Sequence, residues 1–136
     1  MALPDTQTKT RFVVDYSINA SPKILFPYLA TASGLARWFC DDANHVASGR
    51  LNFVWDRENH YAEIGPQRLN RAARYVFSGL EHTIVADPSY VEFSLHLSEV
   101  TDEVFLHVVD YSSAHAVEQR ELWDGLVAKL REQVGG

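Results

Sequence analysis

Ala20-Ser21-Pro22-Lys23-Ile24-Leu25-Phe26-Pro27-Tyr28-Leu29-Ala30-Thr31-Ala32-Ser33-Gly34-Leu35-Ala36-Arg37-Trp38-Phe39 decides the fold, because it holds two helix starts in tandem. Ser21 before Pro22 is an N-cap with proline at the first helical position, where the missing N–H costs nothing. A helix is expected over 22–30, with Ile24, Leu25, Tyr28 and Leu29 on one side. Pro27 sits inside it. A proline that far in removes a hydrogen bond and crowds the preceding turn, so a kink or a first turn of tighter pitch is expected. Ser33 opens a second short helix over 33–39, whose apolar edge is Leu35, Trp38 and Phe39.

On the N-terminal side, residues 11–19 alternate, with Phe12, Val14, Tyr16 and Ile18 on one face, as in a half-buried strand. On the C-terminal side, residues 40–48 read as a polar loop with a short strand near 45–47. Residues 50–56 place Leu51, Phe53 and Trp55 together, and a weaker strand over 60–64 ends at Gly65-Pro66. Residues 69–78 gather Leu69, Ala73, Tyr75 and Phe77. The segment 79–89 reads as a loop with a short strand at 83–85, closed by Asp87-Pro88. Residues 90–98 align Val91, Phe93, Leu95 and Leu97, and 99–102 form a hairpin turn. Residues 103–111 are apolar on both faces, so this strand is expected to be central and covered on both sides, or packed by the two short helices. Ser112 or Ser113 then caps a last helix reaching about residue 134. Its stripe is Leu122, Trp123, Leu126, Val127, Leu130 and Val134, at spacings of three and four. About 20 helical residues span ~30 Å, enough to cross a whole sheet. The order implies an α+β fold: a curved antiparallel sheet of six or seven strands, two short helices after the first strand, and a long C-terminal helix across the concave face.

The chain's 136 residues suit one domain, expected over 10–136 with a flexible tail at 1–9. Such a domain folds without disulfides or metal. The net charge of −6 argues against the clustered cations that phosphate binding needs, so neither nucleic acid nor an anionic membrane surface is an expected partner. Cys40 has no second cysteine to pair with, which fits a reducing compartment. Residues 1–11 are polar and lack the apolar core of a signal peptide. No run reaches the length needed to span a membrane. The cytoplasm is the expected location.

This order resembles the helix-grip fold of the START/birch-pollen-allergen superfamily, also called SRPBCC. Ser33-Gly34-Leu35-Ala36-Arg37-Trp38-Phe39 is similar to the GLxxWF element of the heat-shock ATPase activator-homologue group. Phe53-Val54-Trp55-Asp56 and the pair Asp110-Tyr111 resemble a compact bacterial subgroup of START-like domain proteins. The resemblance runs from about residue 11 to 134. It implies an apolar cavity between sheet and long helix, in a superfamily that includes enzymes, lipid carriers and chaperone partners.

The aromatic set Phe53, Trp55, Tyr75, Phe77, Phe93 and Trp123 has two readings: the wall of a ligand pocket or the filling of a core. With Leu126, Val127 and Leu130 from the last helix, it is the expected ligand-binding surface. Arg71 alternates onto the same face and is a candidate anchor for a ligand carboxylate. Trp38 and Phe39 staple the short helix to the sheet or gate the cavity entrance. The six histidines, His45, His60, His82, His96, His107 and His115, are dispersed and lack zinc-site spacing, so no metal is expected; His107 is the one expected to be buried. Asp41-Asp42 reads as a solvated pair, Asp56 as a turn residue and Asp110 as a cap for the last helix. Nothing marks Cys40 as a nucleophile, and no phosphate loop or serine elbow is present. No catalytic residue and no cofactor are assigned. The expected function is non-catalytic binding of an apolar small molecule or lipid. The alternatives are a co-chaperone-like module that binds a protein partner, and an enzyme of the cyclase or hydrolase kind.

Overall fold

The structure, a computed structural model, describes residues 8–78, 86–113 and 115–135. Seven strands form one antiparallel sheet in the order β1-β7-β6-β5-β4-β3-β2. They are β1 (Thr10–Ile18), β2 (Asp42–Ala47), β3 (Arg50–Trp55), β4 (Glu58–Ile64), β5 (Ala72–Phe77), β6 (Tyr90–Leu97) and β7 (Val104–Ser112). The helices are α1 (Pro22–Ala30), α2 (Ala32–Leu35) and α3 (Ala116–Val134). Among the described residues, no helix is long and apolar enough to cross a membrane. The strand expected at 83–85 and most of the tail expected at 1–9 lie outside the described residues. Lys9, which is described, donates from its ammonium to the Asp87 carbonyl.

Ser21 caps α1 as its position requires, its Oγ accepting from the Ile24 N–H at 3.3 Å. The Ile24 N–H also reaches the Ser21 carbonyl at 3.1 Å, so the first turn is tight, and α1 then runs unbroken through Pro27. Leu25, Phe26 and Leu29 are its buried side, whereas Ile24 is exposed. The cap of α2 is Thr31, not Ser33. The Thr31 hydroxyl donates to the Pro27 carbonyl at 2.7 Å and accepts from the Gly34 N–H at 3.0 Å, joining the two helices at one side chain. α2 is also shorter than expected, giving way to turns after Leu35.

Strand alternation sorts the sheet as the sequence implies. Val14 pairs with Val108, Val108 with Phe93, and Phe93 with Ala73, one buried row across four strands. Asp56 and Arg57 have φ of 50° and 68°, the backbone of a two-residue hairpin that matches the twist of β3 and β4. On the edge strand β2, the pairing slips between His45 and Ala47, leaving Val46 as an extra residue. Three apolar residues fall outside the faces expected of them. Leu69 lies in a turn before β5, Leu97 ends β6 and Leu122 sits at the border of the α3 stripe, and all are exposed. β7 lies inside the sheet between β1 and β6, one place in from its edge, and its outer face is covered in part: Val109 is buried while Phe105 and His107 are half-covered.

α3 is capped by His115 without a side-chain bond, not by Ser112 or Ser113. Gly135, at φ 87°, ends it. The buried side of α3 is Gln119, Trp123, Val127 and Leu130.

Candidate functional site

The middle of the grip is filled by aromatic rings. Phe53, Tyr75 and Phe93 are fully buried and Trp123 is 2 % exposed. Phe39 stacks on Trp123 at 5.7 Å between centroids and presents edges to Phe53 at 5.5 Å and Trp55 at 5.2 Å. Phe53 meets Tyr75 at 5.5 Å, and Phe93 meets Trp38 at 5.5 Å and Trp123 at 5.9 Å. Such ring pairs add to the area each ring buries. The broad cavity that the resemblance implied between sheet and helix is therefore occupied by the chain's own side chains along most of its length.

The polar atoms of these rings are tied to the protein. Trp38 Nε1 donates to the Tyr28 carbonyl at 2.8 Å, Trp55 Nε1 to the Phe39 carbonyl at 2.7 Å, and Tyr75 Oη to the Leu29 carbonyl at 2.6 Å. Burial holds the Tyr75 phenol well above its ordinary pKa. Trp123 Nε1 donates to Asp110 Oδ2 at 2.8 Å. Asp110, expected to cap α3, instead orients the largest side chain of that helix.

An open space of about 320 Å³ remains at one end of the grip. Phe39, Trp55, Phe77 and Trp123 form its aromatic wall, and Val91, Leu122 and Leu126 complete the apolar part. Asp110 and Ser112 supply its polar edge. Ser112 Oγ accepts from Gln119 Nε2 at 3.1 Å.

The structure thus divides the twelve sequence-predicted residues. Trp55, Phe77, Trp123, Leu126 and Phe39 meet at the cleft. Phe53, Tyr75, Phe93, Val127, Leu130 and Trp38 lie in the packed core beneath it. Arg71 lies elsewhere, exposed on the turn before β5, in a separate groove with Arg68, Glu92 and His96. Sequence reasoning missed Asp110 and Ser112 as cleft residues. The signal was present: Val104, Leu106 and Val108 point inward, and positions 110 and 112 continue the same alternation. Gln119 was missed too, although it precedes Trp123 by one turn on the buried stripe.

Other candidates fall to ordinary roles. Asp41 Oδ2 accepts from the Asp56 N–H at 2.9 Å, and Asp42 Oδ1 from the Ala43 N–H at 2.9 Å. His107, half-buried rather than buried, pairs through Nδ1 with Asp15 at 2.7 Å. No metal-binding group of histidine, cysteine and carboxylate residues forms among the described residues. Burial pushes the Cys40 thiol up to about 12, so it stays protonated near neutral pH.

A family model described as a START-like superfamily domain matches residues 6–136. Solved structures share the architecture. The solution structure of the Aha1 dimer from Colwellia psychrerythraea is 16% identical, with TM-score 0.73 over 92% of this chain and 96% of that one. BfR322 from Bacteroides fragilis is 30% identical, with TM-score 0.60 over 92% and 90%. DynU16, described as a putative protein in the dynemicin biosynthetic locus, is 15% identical, with TM-score 0.70 over 90% of this chain and 46% of that one. Among curated proteins, none matches.

Proposed function

Because this chain belongs to the START-like superfamily, we propose that it binds one small apolar molecule in the cleft between α3 and strands β3 and β5 to β7. The observation that carries this reading is the cleft itself, an open space of about 320 Å³ walled almost wholly by aromatic and aliphatic side chains. Ligand sites run from roughly 300 to 1,000 Å³, so this one suits one or two fused rings and not a long-chain lipid. Affinity comes from apolar area removed from water, at about 25 cal/mol per Å² before the costs of association. An enzyme on this site needs an acid and a base facing the substrate. Among the described residues, the lining offers the single carboxylate of Asp110. The proposed setting is the cytoplasm, where the lone buried thiol of Cys40 is stable as a thiol.

The test is uptake of the neutral dye 1-anilinonaphthalene by the native chain. Binding is expected to saturate near one per chain. Leu126→Trp, which fills the cleft from α3, should remove it; Val117→Trp, on an exposed part of the same helix, should not. A folded chain that takes up no dye, or equal uptake by both variants, overturns the reading.

A second reading is a module that binds a protein partner. It is favoured by the closed aromatic interior, which leaves little room for a carrier's cargo. The Colwellia protein of the same fold is described as a dimer. Native dye-free protein with Leu122 and Leu126 protected from hydrogen exchange only in the presence of a partner would put this reading first.

A further inference from the structure

We propose that the cleft selects an apolar cation, an aryl- or alkylammonium of one or two rings, over an apolar anion such as a fatty acid. This rests on the cleft being the ligand site. The row Ile64, Tyr75, Val91, Asp110, Phe12 crosses five strands in register and faces inward. Four of its members are apolar or aromatic, and the fifth is a carboxylate. A charge on an inner sheet face is costly unless something offsets it. Among the described residues, one side chain donates to this carboxylate: Trp123, to Oδ2. Asp110 is in neither of the salt bridges formed by these residues, both of which join histidine to a carboxylate.

The remaining chemistry of the lining points the same way. Among the described residues, no lysine, arginine or histidine contributes to it. The indole N–H groups of Trp55 and Trp123 are already given to the Phe39 carbonyl and to Asp110. Among the described residues of the lining, Ser112 is left as the one side-chain donor. An anionic ligand would therefore meet a like charge with a single hydroxyl to solvate it. An ammonium would meet the Asp110 carboxylate beside the aromatic side chains of Trp55 and Phe39, and aromatic rings attract cations through their quadrupoles. A charge-assisted bond to a carboxylate is about twice as strong as a neutral one. The chain's net charge of −6 favours approach of a cation as well.

The experiment compares naphthylmethylammonium, naphthylmethanol and naphthylacetate, which share one apolar body, by calorimetry on the full chain near neutral pH. The ammonium should bind about tenfold or more tighter than the acetate, with the alcohol between them. In Asp110→Asn the amide oxygen can still accept from Trp123. The ammonium should then lose about tenfold while the alcohol changes little. Acetate binding as tightly as the ammonium, or ammonium affinity unmoved by Asp110→Asn, overturns the cation preference while leaving the ligand site in place. Failure of all three probes to bind overturns the ligand site itself. If Asp110→Asn does not fold, the order of the three probes on the unaltered chain decides alone.

Discussion

A methyl group on Gly34 would lie 2.1 Å from the Pro27 carbonyl oxygen and 2.8 Å from Thr31 Oγ1. Both neighbours belong to the joint between α1 and α2, and the closer one is backbone, which cannot swing aside. Gly34→Ala should cost about 1–3 kcal/mol in urea unfolding through overpacking alone. A loss under about 0.5 kcal/mol would mean the helices approach less closely. The same joint explains why Ser33 was the wrong cap. Thr31 and Ser33 are both good hydroxyl caps by residue type. What separates them is the Pro27 carbonyl four residues before Thr31: Thr31 ends α1 as well as opening α2, and its hydroxyl serves both ends. Cys40 makes a second residue-scale prediction. With its thiol buried and held near 12, iodoacetamide at about pH 8 should label the folded chain far more slowly than the chain in urea. Equal rates would place the thiol at the surface.

α3 shows how much an element's pattern reveals and where it stops. Spacings of three and four identified Trp123, Val127 and Leu130, all fully or nearly buried. They could not assign the borders of the stripe. Leu122 is 53 % exposed while Gln119 is fully buried, its Nε2 donating to Ser112 Oγ and the Asp110 carbonyl while its Oε1 is left without a hydrogen-bond partner among the described residues. The partners of that nitrogen come from β7 and are invisible to helical periodicity. Strand alternation was more legible, since each strand has only two faces and one is buried. The candidate site fared worse for a related reason. Period and face identify inward residues, whereas the volume left among them depends on how rings such as Phe39 and Trp123 stack. The α3 stripe therefore predicts a graded response. Leu130→Ala, in the closed core, should cost about 2–5 kcal/mol. Leu126→Ala, on the cleft rim, should cost clearly less. Equal losses in urea unfolding would show the cleft to be closed around Leu126.

For the whole molecule, Cys40, Tyr16 and Tyr75 act together at high pH. Burial raises all three, Cys40 from 9.0 to about 12 and the two phenols beyond that. Asp124, accepting from Tyr16 at 2.7 Å, adds to the rise there. The folded state must keep these protons while the unfolded chain releases them at ordinary values. Their contribution is complete below about pH 9 and is lost as pH rises beyond it. The loss is up to about 1.4 kcal/mol per pH unit for a well-buried group such as Tyr75. Urea midpoints should fall steadily between about pH 9 and 12; a flat profile would contradict this burial. The slip on β2 has a consequence at the same scale. β2 is an outer strand of an otherwise regular sheet, a place where a second chain could extend the ladder. Val46 breaks the spacing of its N–H and C=O groups, and Asp42, Asn44 and His45 line the rest with exposed polar side chains. An incoming strand would stay in register only along residues 42–45, so the slip acts as a guard against fibrous self-assembly.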